Sequence, residues 1–135
     1  MREILFRGKR VDNGEWVQGC LHLEYEGVRD TLEEAIIIGK YAKTYNNAIH
    51  GCLKVNPSTI SEFTGLKDMN GKKIFEGDIV STYDGNFEVY YHDGWQPQMK
   101  RKLSNGYTKY EPLDFYEMEV IGNIYDNPEL MEGQI

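Results

Sequence analysis

The chain has 135 residues, and its 15 Lys and Arg against 22 Asp and Glu give a formal net charge of −7. This length suits one domain, and a hydrophobic content of 40%, with 13% aromatic residues, is enough to build a core, which argues against intrinsic disorder. The longest apolar run, Ala35–Ile38, is far shorter than a membrane-spanning helix needs, so we expect no membrane span. The charged start Met1–Arg7 does not resemble a signal peptide, which predicts a cytoplasmic protein. Two cysteines do not make a disulfide scaffold.

The acidic balance disfavours binding to duplex nucleic acid, which requires clustered cations. Two basic clusters exist, Arg7–Arg10 and Lys100–Lys102. Solvated turns account for both, although a local basic patch can act even on an acidic protein. The carboxylates are scattered and form no long acidic block, so a surface that imitates DNA is not indicated.

Turn signals are the strongest local feature of the chain. Five Asn-Gly or Asp-Gly pairs tolerate the positive φ of tight hairpins: Asn13-Gly14, Asn70-Gly71, Asp84-Gly85, Asp93-Gly94 and Asn105-Gly106. Short runs of β-branched and aromatic residues separate them, which predicts a mainly β, antiparallel fold. The predicted strands are Ile4–Arg7, Glu15–Glu24, Ala35–Ile38, Gly51–Val55, Asp78–Tyr83, Phe87–Tyr91, Pro97–Lys100 and Tyr116–Ile121.

The clearest predicted hairpin joins Ile79–Tyr83 to Asn86–Tyr91 through the Asp84-Gly85 turn. Successive residues of a strand point to opposite faces of the sheet. The residues expected on one face are Phe87, Val89 and Tyr91, with Glu88 and Tyr90 on the other.

Helical signals are few. Thr31–Glu34 fits a capping box and predicts one or two helical turns, although the β-branched run after it argues against a long helix. Asn127–Met131 predicts a short terminal turn, with a capping Asn followed by Pro. Pro57–Phe63 fits either a turn of helix or a strand.

Three stretches carry a resemblance to a known family. They are the central segment Thr64–Val80, the opening Ile4–Arg7 around a Phe-Arg pair, and the closing Val120–Leu130. On these residues the chain resembles the YopX family of phage and prophage proteins over essentially its full length.

The resemblance implies a compact, β-rich α+β fold with one or two short helical turns, built as a single domain over residues 1–135. Its parts would be an N-terminal β subregion at about 1–62, an SH3-like barrel or roll at about 63–126, and a short turn at 127–135. The central motif is typical of folding determinants: Asp68–Gly71 is turn chemistry, and Gly65 and Gly77 mark places that exclude a Cβ. The family has no assigned activity, so no catalytic residue and no cofactor is carried over.

A metal site is one candidate constellation. Cys20 and His22 mirror His50 and Cys52, and if their two strands paired directly the four side chains would form a tetrahedral zinc site. Zinc ligands usually lie on tight loops. The alternation of side chains along the two strands also places Leu21 and the other apolar residues of these strands in the core. Two ordinary thiols and two surface histidines are the competing interpretation, and we assign no metal.

Carboxylates offer a second constellation. Glu76 and Asp78 lie two residues apart, and His92 could share their rim, as an acid–base hydrolase would require. A structural position at the start of a strand explains the presence of Glu76 equally well. The sequence contains no nucleophile-elbow motif and no phosphate-binding glycine motif.

Aromatic residues form the third constellation, and they crowd the segment between positions 83 and 116. Such residues either pack against cross-strand neighbours or face outward to hold a partner. The segment also contains the polar stretch Gln96–Glu111 with three consecutive cations, which predicts an extended hairpin or a mobile loop. Loops on rigid sheets often carry recognition. The predicted binding residues are Tyr90, Trp95, Lys100, Arg101, Lys102, Tyr107 and Tyr110.

These features together predict a non-catalytic, phage-encoded accessory domain in the host bacterial cytoplasm that acts by binding. A protein partner is expected, either a second copy of the chain, since sheet edges favour self-association, or a host or phage protein. A small hydrolase and a single-stranded nucleic-acid binder are the alternatives.

Overall fold

The computed structural model describes residues 4–26, 31–45, 48–92, 96–113 and 117–132. The chain divides into two compact units, Met1–Glu62 and Phe63–Ile135. All strand pairs recorded in both units are antiparallel, and the only helical elements in the described ranges are two short 3-10 turns. The predicted mainly β, antiparallel fold class is confirmed.

The first unit is a sheet in the order β4-β3-β2-β1-β5. A 3-10 turn at Pro57–Thr59 leads into the last strand, and the side chain of Asn56 caps it by accepting a hydrogen bond from Ser58 N. Only the first two residues of β5 belong to this unit. The strands are β1 (Phe6–Lys9), β2 (Trp16–Glu26), β3 (Thr31–Tyr45), β4 (Ala48–Lys54) and β5 (Ser61–Lys67).

Val55 forms the centre of a small apolar cluster in the first unit. It is 1% exposed, and the half-buried side chains packed against it are Phe6, Val17, Leu21 and Ile60. A Cβ on Gly8 would lie 2.9 Å from the Val55 side chain, so the strand at this point accepts only glycine without a shift.

The second unit contains a five-stranded sheet in the order β10-β9-β8-β7-β11. Within the described part of the chain, β10 and β11 do not pair with each other, so the sheet is open rather than a closed barrel; an SH3-like roll stays compatible with this order. A 3-10 turn at Pro128–Met131 follows the sheet. The strands are β6 (Lys73–Phe75), which pairs with β5, β7 (Asp78–Thr82), β8 (Gly85–His92), β9 (Gln96–Lys102), β10 (Thr108–Pro112) and β11 (Glu119–Asn123).

The core of the second unit lies on one face of this sheet. Its buried members are Ile74, Val80, Phe87, Val89, Met99, Met118 and Val120. The predicted hairpin is confirmed, with its two-residue loop one position earlier than expected because Thr82 pairs with Gly85. Phe87 and Val89 are fully buried, whereas Tyr91 is half-buried and its hydroxyl donates to the Phe63 carbonyl at 2.9 Å. We call the sheet face that carries this core the inner face, and the opposite face of the sheet the outer face.

Asp68 connects the β5–β6 turn to strand β11. Its side chain is 6% exposed, and its Oδ1 accepts from Asn70 N and Lys72 N, both at 2.9 Å, while its Oδ2 accepts from Val120 N at 2.8 Å. Burial by itself would raise the pKa of this carboxyl, but the three backbone donors outweigh it and lower the pKa. The carboxylate therefore joins backbone segments 52 residues apart.

The glycines of the central motif have the predicted conformational role. Gly65 and Gly77 both have φ +86°, a region that other residues rarely adopt. A Cβ on Gly77 would also lie 3.1 Å from the Tyr125 ring, and Gly77 N donates to the Val89 carbonyl at 2.9 Å. The hydrogen bond to Val89 fixes the turn at Gly77, and the nearby Tyr125 ring leaves no room there for a side chain.

The structure corrects one prediction of local structure and decides between alternatives at two other places. The helical turns predicted at Thr31–Glu34 are wrong, because these residues begin β3 and pair with the end of β2. Pro57–Phe63 contains both of its alternatives, a 3-10 turn followed by a strand. Strand β6 was missed because it is short, and Gln96–Glu111 forms the hairpin of its two alternatives, with the mostly polar β10 as the second arm. No helix in the ranges that the structure describes is long and apolar enough to cross a membrane.

Replacement of Asp68 by Asn should lower the free energy of unfolding by about 1–3 kcal/mol, because a charged acceptor of three buried donors is lost. Urea unfolding followed by circular dichroism measures it. Asp12→Asn is the matched control: Asp12 is exposed and pairs with Arg10 at 2.6 Å, so its midpoint should not move. Equal effects of both variants would contradict the structural role of Asp68.

The contribution of Asp68 should also depend on pH in one direction. Because its folded-state pKa lies below the ordinary value of 3.8, its stabilisation is complete above that value and is lost as the pH falls through the lower folded-state pKa. The stability difference between the wild type and Asp68→Asn should therefore be smaller at about pH 3 than at about pH 7. A difference that widens on acidification would refute this assignment.

Candidate binding surface

The outer face of β8, β9 and β10 carries most of the predicted binding residues. Tyr90 lies opposite Gln98, and Lys100 lies between Glu88 on β8 and Tyr110 on β10. These side chains alternate with the buried residues of the inner face, so the strand pleat places them together. We call Tyr90, Lys100, Lys102 and Tyr110 the tyrosine–lysine face.

Direct side-chain contacts order this face. Lys100 Nζ lies 4.7 Å from the centroid of the Tyr90 ring, within cation–π range. The ring centroids of Tyr90 and Tyr110 are 5.9 Å apart with their planes inclined at 59°. The Tyr90 hydroxyl donates to Gln98 Oε1 at 2.9 Å. Tyr90 is thus held in place while Tyr110 is 59% exposed, which gives a preorganised but accessible aromatic surface.

A recess of about 250 Å³ adjoins the tyrosine–lysine face. The second 3-10 turn contributes to it, since Asn86 Nδ2 donates to the Leu130 carbonyl at 2.9 Å and so holds the turn beside β8. Among the described lining residues, the two lysines of the face outnumber the one carboxylate, which favours binding of an acidic or electron-rich group. The lining residues are Glu88, Lys100, Arg101, Lys102, Thr108, Tyr110 and Met131.

Arg101 borders the recess, but its guanidinium lies on the inner face. It is 7% exposed, its Cζ lies 4.9 Å from the Phe87 ring centroid, and its guanidinium donates to the Asp84 carbonyl. Its Nε is buried without a hydrogen-bond partner among the described residues. The basic run Lys100–Lys102 therefore supplies two cations to the outer face, not three.

The other predicted aromatic residues are dispersed. Tyr107 is 74% exposed in the β9–β10 turn, where its N–H donates to Asn105 Oδ1 at 3.0 Å. Tyr83, in the β7–β8 turn, is 95% exposed. Trp95 lies outside the described residues. Of the two alternatives for these rings, exposure to solvent holds for Tyr83, Tyr107 and Tyr110.

The strand pairing that the zinc hypothesis requires is not formed. Strand β3 lies between β2 and β4, and both Cys20 and Cys52 are in register with its Ile38. Cys20 and His22 are exposed. His50 pairs with Lys43 after a register shift in β3. Among the described residues, no group of three or more His, Cys, Asp or Glu is placed to hold a metal ion.

Asp78 has a structural role in the carboxylate constellation. It is 1% exposed, and its Oδ2 accepts from Phe75 N at 2.7 Å, which closes the turn between β6 and β7. Glu76 is half-buried and His92 is exposed at the far end of β8. A carboxylate committed to backbone in the core is poorly suited to act as a general base.

A larger cavity, of about 610 Å³, opens on the inner side of the sheet. Phe87, Met99 and Met118 form its apolar floor, and each is less than one-tenth exposed. The remaining lining residues surround its mouth: Thr82, Tyr83, Asp84, Lys109, Glu111, Pro112, Leu113 and Glu117.

Charges at this mouth are partly paired. Lys109 Nζ donates to Asp84 Oδ2 and lies 3.7 Å from Glu111 Oε1. The hydrogen bond from Lys109 is the main reason that the pKa of Asp84 is lowered, and the same bond raises the pKa of Lys109. Both groups are therefore charged at neutral pH.

Sequence reasoning missed the residues of this cavity. Lys109 and Glu111 flank Tyr110 in the alternating pattern Lys-Tyr-Glu, which favours the hairpin over the loop among the two alternatives for this stretch. Met99 and Met118 carry no polar signal. Met99 lies on β9 and Met118 just before β11, which are not neighbours in the sheet, so only the packed core brings them together.

The chain is similar to known proteins in its family and in its fold. The family described as "YopX protein" matches residues 5–132. The crystal structure of protein EF1440 from Enterococcus faecalis is similar, with a TM-score of 0.55 and 24% identity, covering 98% of this chain and 100% of that chain. No curated protein matches. At this identity the structural likeness concerns the fold alone.

Separate substitutions of the adjacent cations Arg101 and Lys102 should show that they lie on opposite faces of β9. Arg101→Met should lower the free energy of unfolding by about 1–3 kcal/mol, because it removes a buried donor to the Asp84 carbonyl. Lys102→Met should change it by less than about 0.5 kcal/mol, because Lys102 is exposed. Chemical denaturation measures both, and similar losses for the two variants would contradict the placement of Arg101.

Proposed function

The chain belongs to the YopX family, and we propose that it acts without catalysis, as a binding domain for a protein partner. The partner docks on the tyrosine–lysine face. The supporting observation is the exposed Tyr110 ring, held 5.9 Å from the ordered Tyr90 ring and beside two lysines on regular strands. Tyrosines on rigid elements provide large contact area at low entropic cost, which is typical of binding hot spots.

The charge of this face indicates the chemistry of the partner. Lys100 and Lys102 face outward on a chain whose net charge is −7. An acidic segment with an apolar or aromatic side chain would pair with the lysines and pack on Tyr110. A second copy of this chain carries such acidic surface, and a host or phage protein is the other possibility.

The family resemblance supports the cellular setting of this proposal. Resemblance to phage and prophage proteins favours an accessory protein that works in the host bacterial cytoplasm. A hydrolase function has less support, since the Asp78 carboxylate accepts a backbone hydrogen bond in the core.

Binding of single-stranded nucleic acid is the second candidate, and one observation favours it. Exposed tyrosine beside lysine is the combination on which bases stack while cations contact phosphates. Fluorescence anisotropy with a labelled single-stranded oligonucleotide at two salt concentrations tests it. Affinity that falls steeply with salt would support this candidate over a protein partner, whereas a flat titration at low salt removes it.

Tyr110→Ala should weaken partner binding by about tenfold or more, because an aromatic anchor is truncated. Sedimentation equilibrium of the purified chain over a range of concentrations first determines whether the partner is a second copy. If the chain is monomeric, a photo-cross-linking residue at position 110 identifies the partner in host cells, and its affinity is then measured.

Tyr83→Ala is the matched control, because Tyr83 is even more exposed but lies in the β7–β8 turn. A cross-linker at position 83 should not capture the same protein. Lys100→Glu should weaken binding further by reversing a charge beside Tyr110. The proposal fails if Tyr110→Ala and Lys100→Glu both bind the partner as tightly as the wild type.

A further inference from the structure

The inner cavity has the size and wall chemistry of a small-molecule site. Its volume of about 610 Å³ lies within the range of ligand pockets, roughly 300–1,000 Å³. The floor formed by Phe87, Met99 and Met118 is apolar, and methionine side chains adapt their shape to a ligand. It lies on the face opposite the tyrosine–lysine face, so it is a separate feature from the proposed partner surface.

The charges that line the mouth determine which ligand fits. The lining residues in the described part of the chain include the carboxylates of Asp84, Glu111 and Glu117 but only one cation, Lys109. Lys109 pairs with Asp84 and lies near Glu111. Glu117 is exposed and forms no ion pair within the described residues. An anionic ligand would meet an excess of carboxylates, whereas a cation would find Glu117 available.

We propose that this cavity binds a small organic cation with an apolar body. The hydrocarbon part packs on Phe87, Met99 and Met118, and the ammonium group pairs with Glu117 at the mouth. Burial of the hydrocarbon supplies most of the affinity, and the charge provides selectivity.

Methionine methyl resonances report on this site directly. The chain has 5 methionines. Of the four in the described ranges, Met99 and Met118 line the cavity whereas Met69 and Met131 do not, so these two serve as internal controls. Titration of methyl-labelled protein with n-octylammonium should shift the Met99 and Met118 signals and leave the controls in place. Equal shifts at all methionines, or none at Met99 and Met118, would overturn the proposal.

Ligands that differ only in their head group test the charge. We expect affinity to decrease from n-octylammonium to n-octanol to octanoate. Octanoate binding as tightly as n-octylammonium would overturn the assignment of a cationic ligand, because the mouth would then not select by charge.

Glu117→Gln should reduce the affinity for n-octylammonium by about two- to fivefold and leave that for n-octanol unchanged, as expected for loss of one exposed ion pair. Glu119→Gln is the matched control, since Glu119 is exposed, two residues away and outside the cavity lining. Equal losses in the two variants would reject the role of Glu117. Tyr110→Ala should not affect this titration, which separates its outcome from that of the partner proposal.

Discussion

Neighbouring residues of a β-strand point to opposite faces, and on β8, β9 and β10 this constraint separates two kinds of chemistry. Lys100 and Arg101 are adjacent in the chain, yet one lies over the Tyr90 ring on the outer face and the other over the Phe87 ring on the inner face. A shift of one residue in strand register would exchange the two sets. In the tight β7–β8 turn, Asp84 accepts hydrogen bonds from Arg101 and Lys109, and these bonds help to hold that register.

Much of the fold was predictable because turns and alternation are local signals. The Asn-Gly turns with glycine at positive φ, the β7–β8 hairpin and the family motif follow from residue types alone. The helical turns at Thr31–Glu34 failed because a capping box is worth little against a long antiparallel pairing with β2. Strand order is not a local signal, and the insertion of β3 between β2 and β4 separated the proposed zinc ligands.

The candidate site was predictable only in part. The sequence left open whether Tyr107 and Tyr110 are packed or exposed, and the structure exposes both. The sequence also could not reveal which residues of the basic run share a face with them. Arg101 was grouped with the outward-facing residues because the sequence left Gln96–Glu111 as either an extended hairpin or a mobile loop, so no pairing partner fixed the alternation of β9. The cavity was missed because Lys109 on β10 and Met118 beside β11 belong to opposite ends of the strand order and meet only in the folded unit.

Strand β10 forms one edge of the five-stranded sheet among the described residues, and it ends at Pro112. Proline has no N–H to donate, and the strand is only 5 residues long. An incoming strand would find few hydrogen bonds along this border, so open-ended stacking of chains into fibrils is discouraged. The molecule can thus display bare tyrosine rings close to a sheet border without inviting amyloid-like growth there.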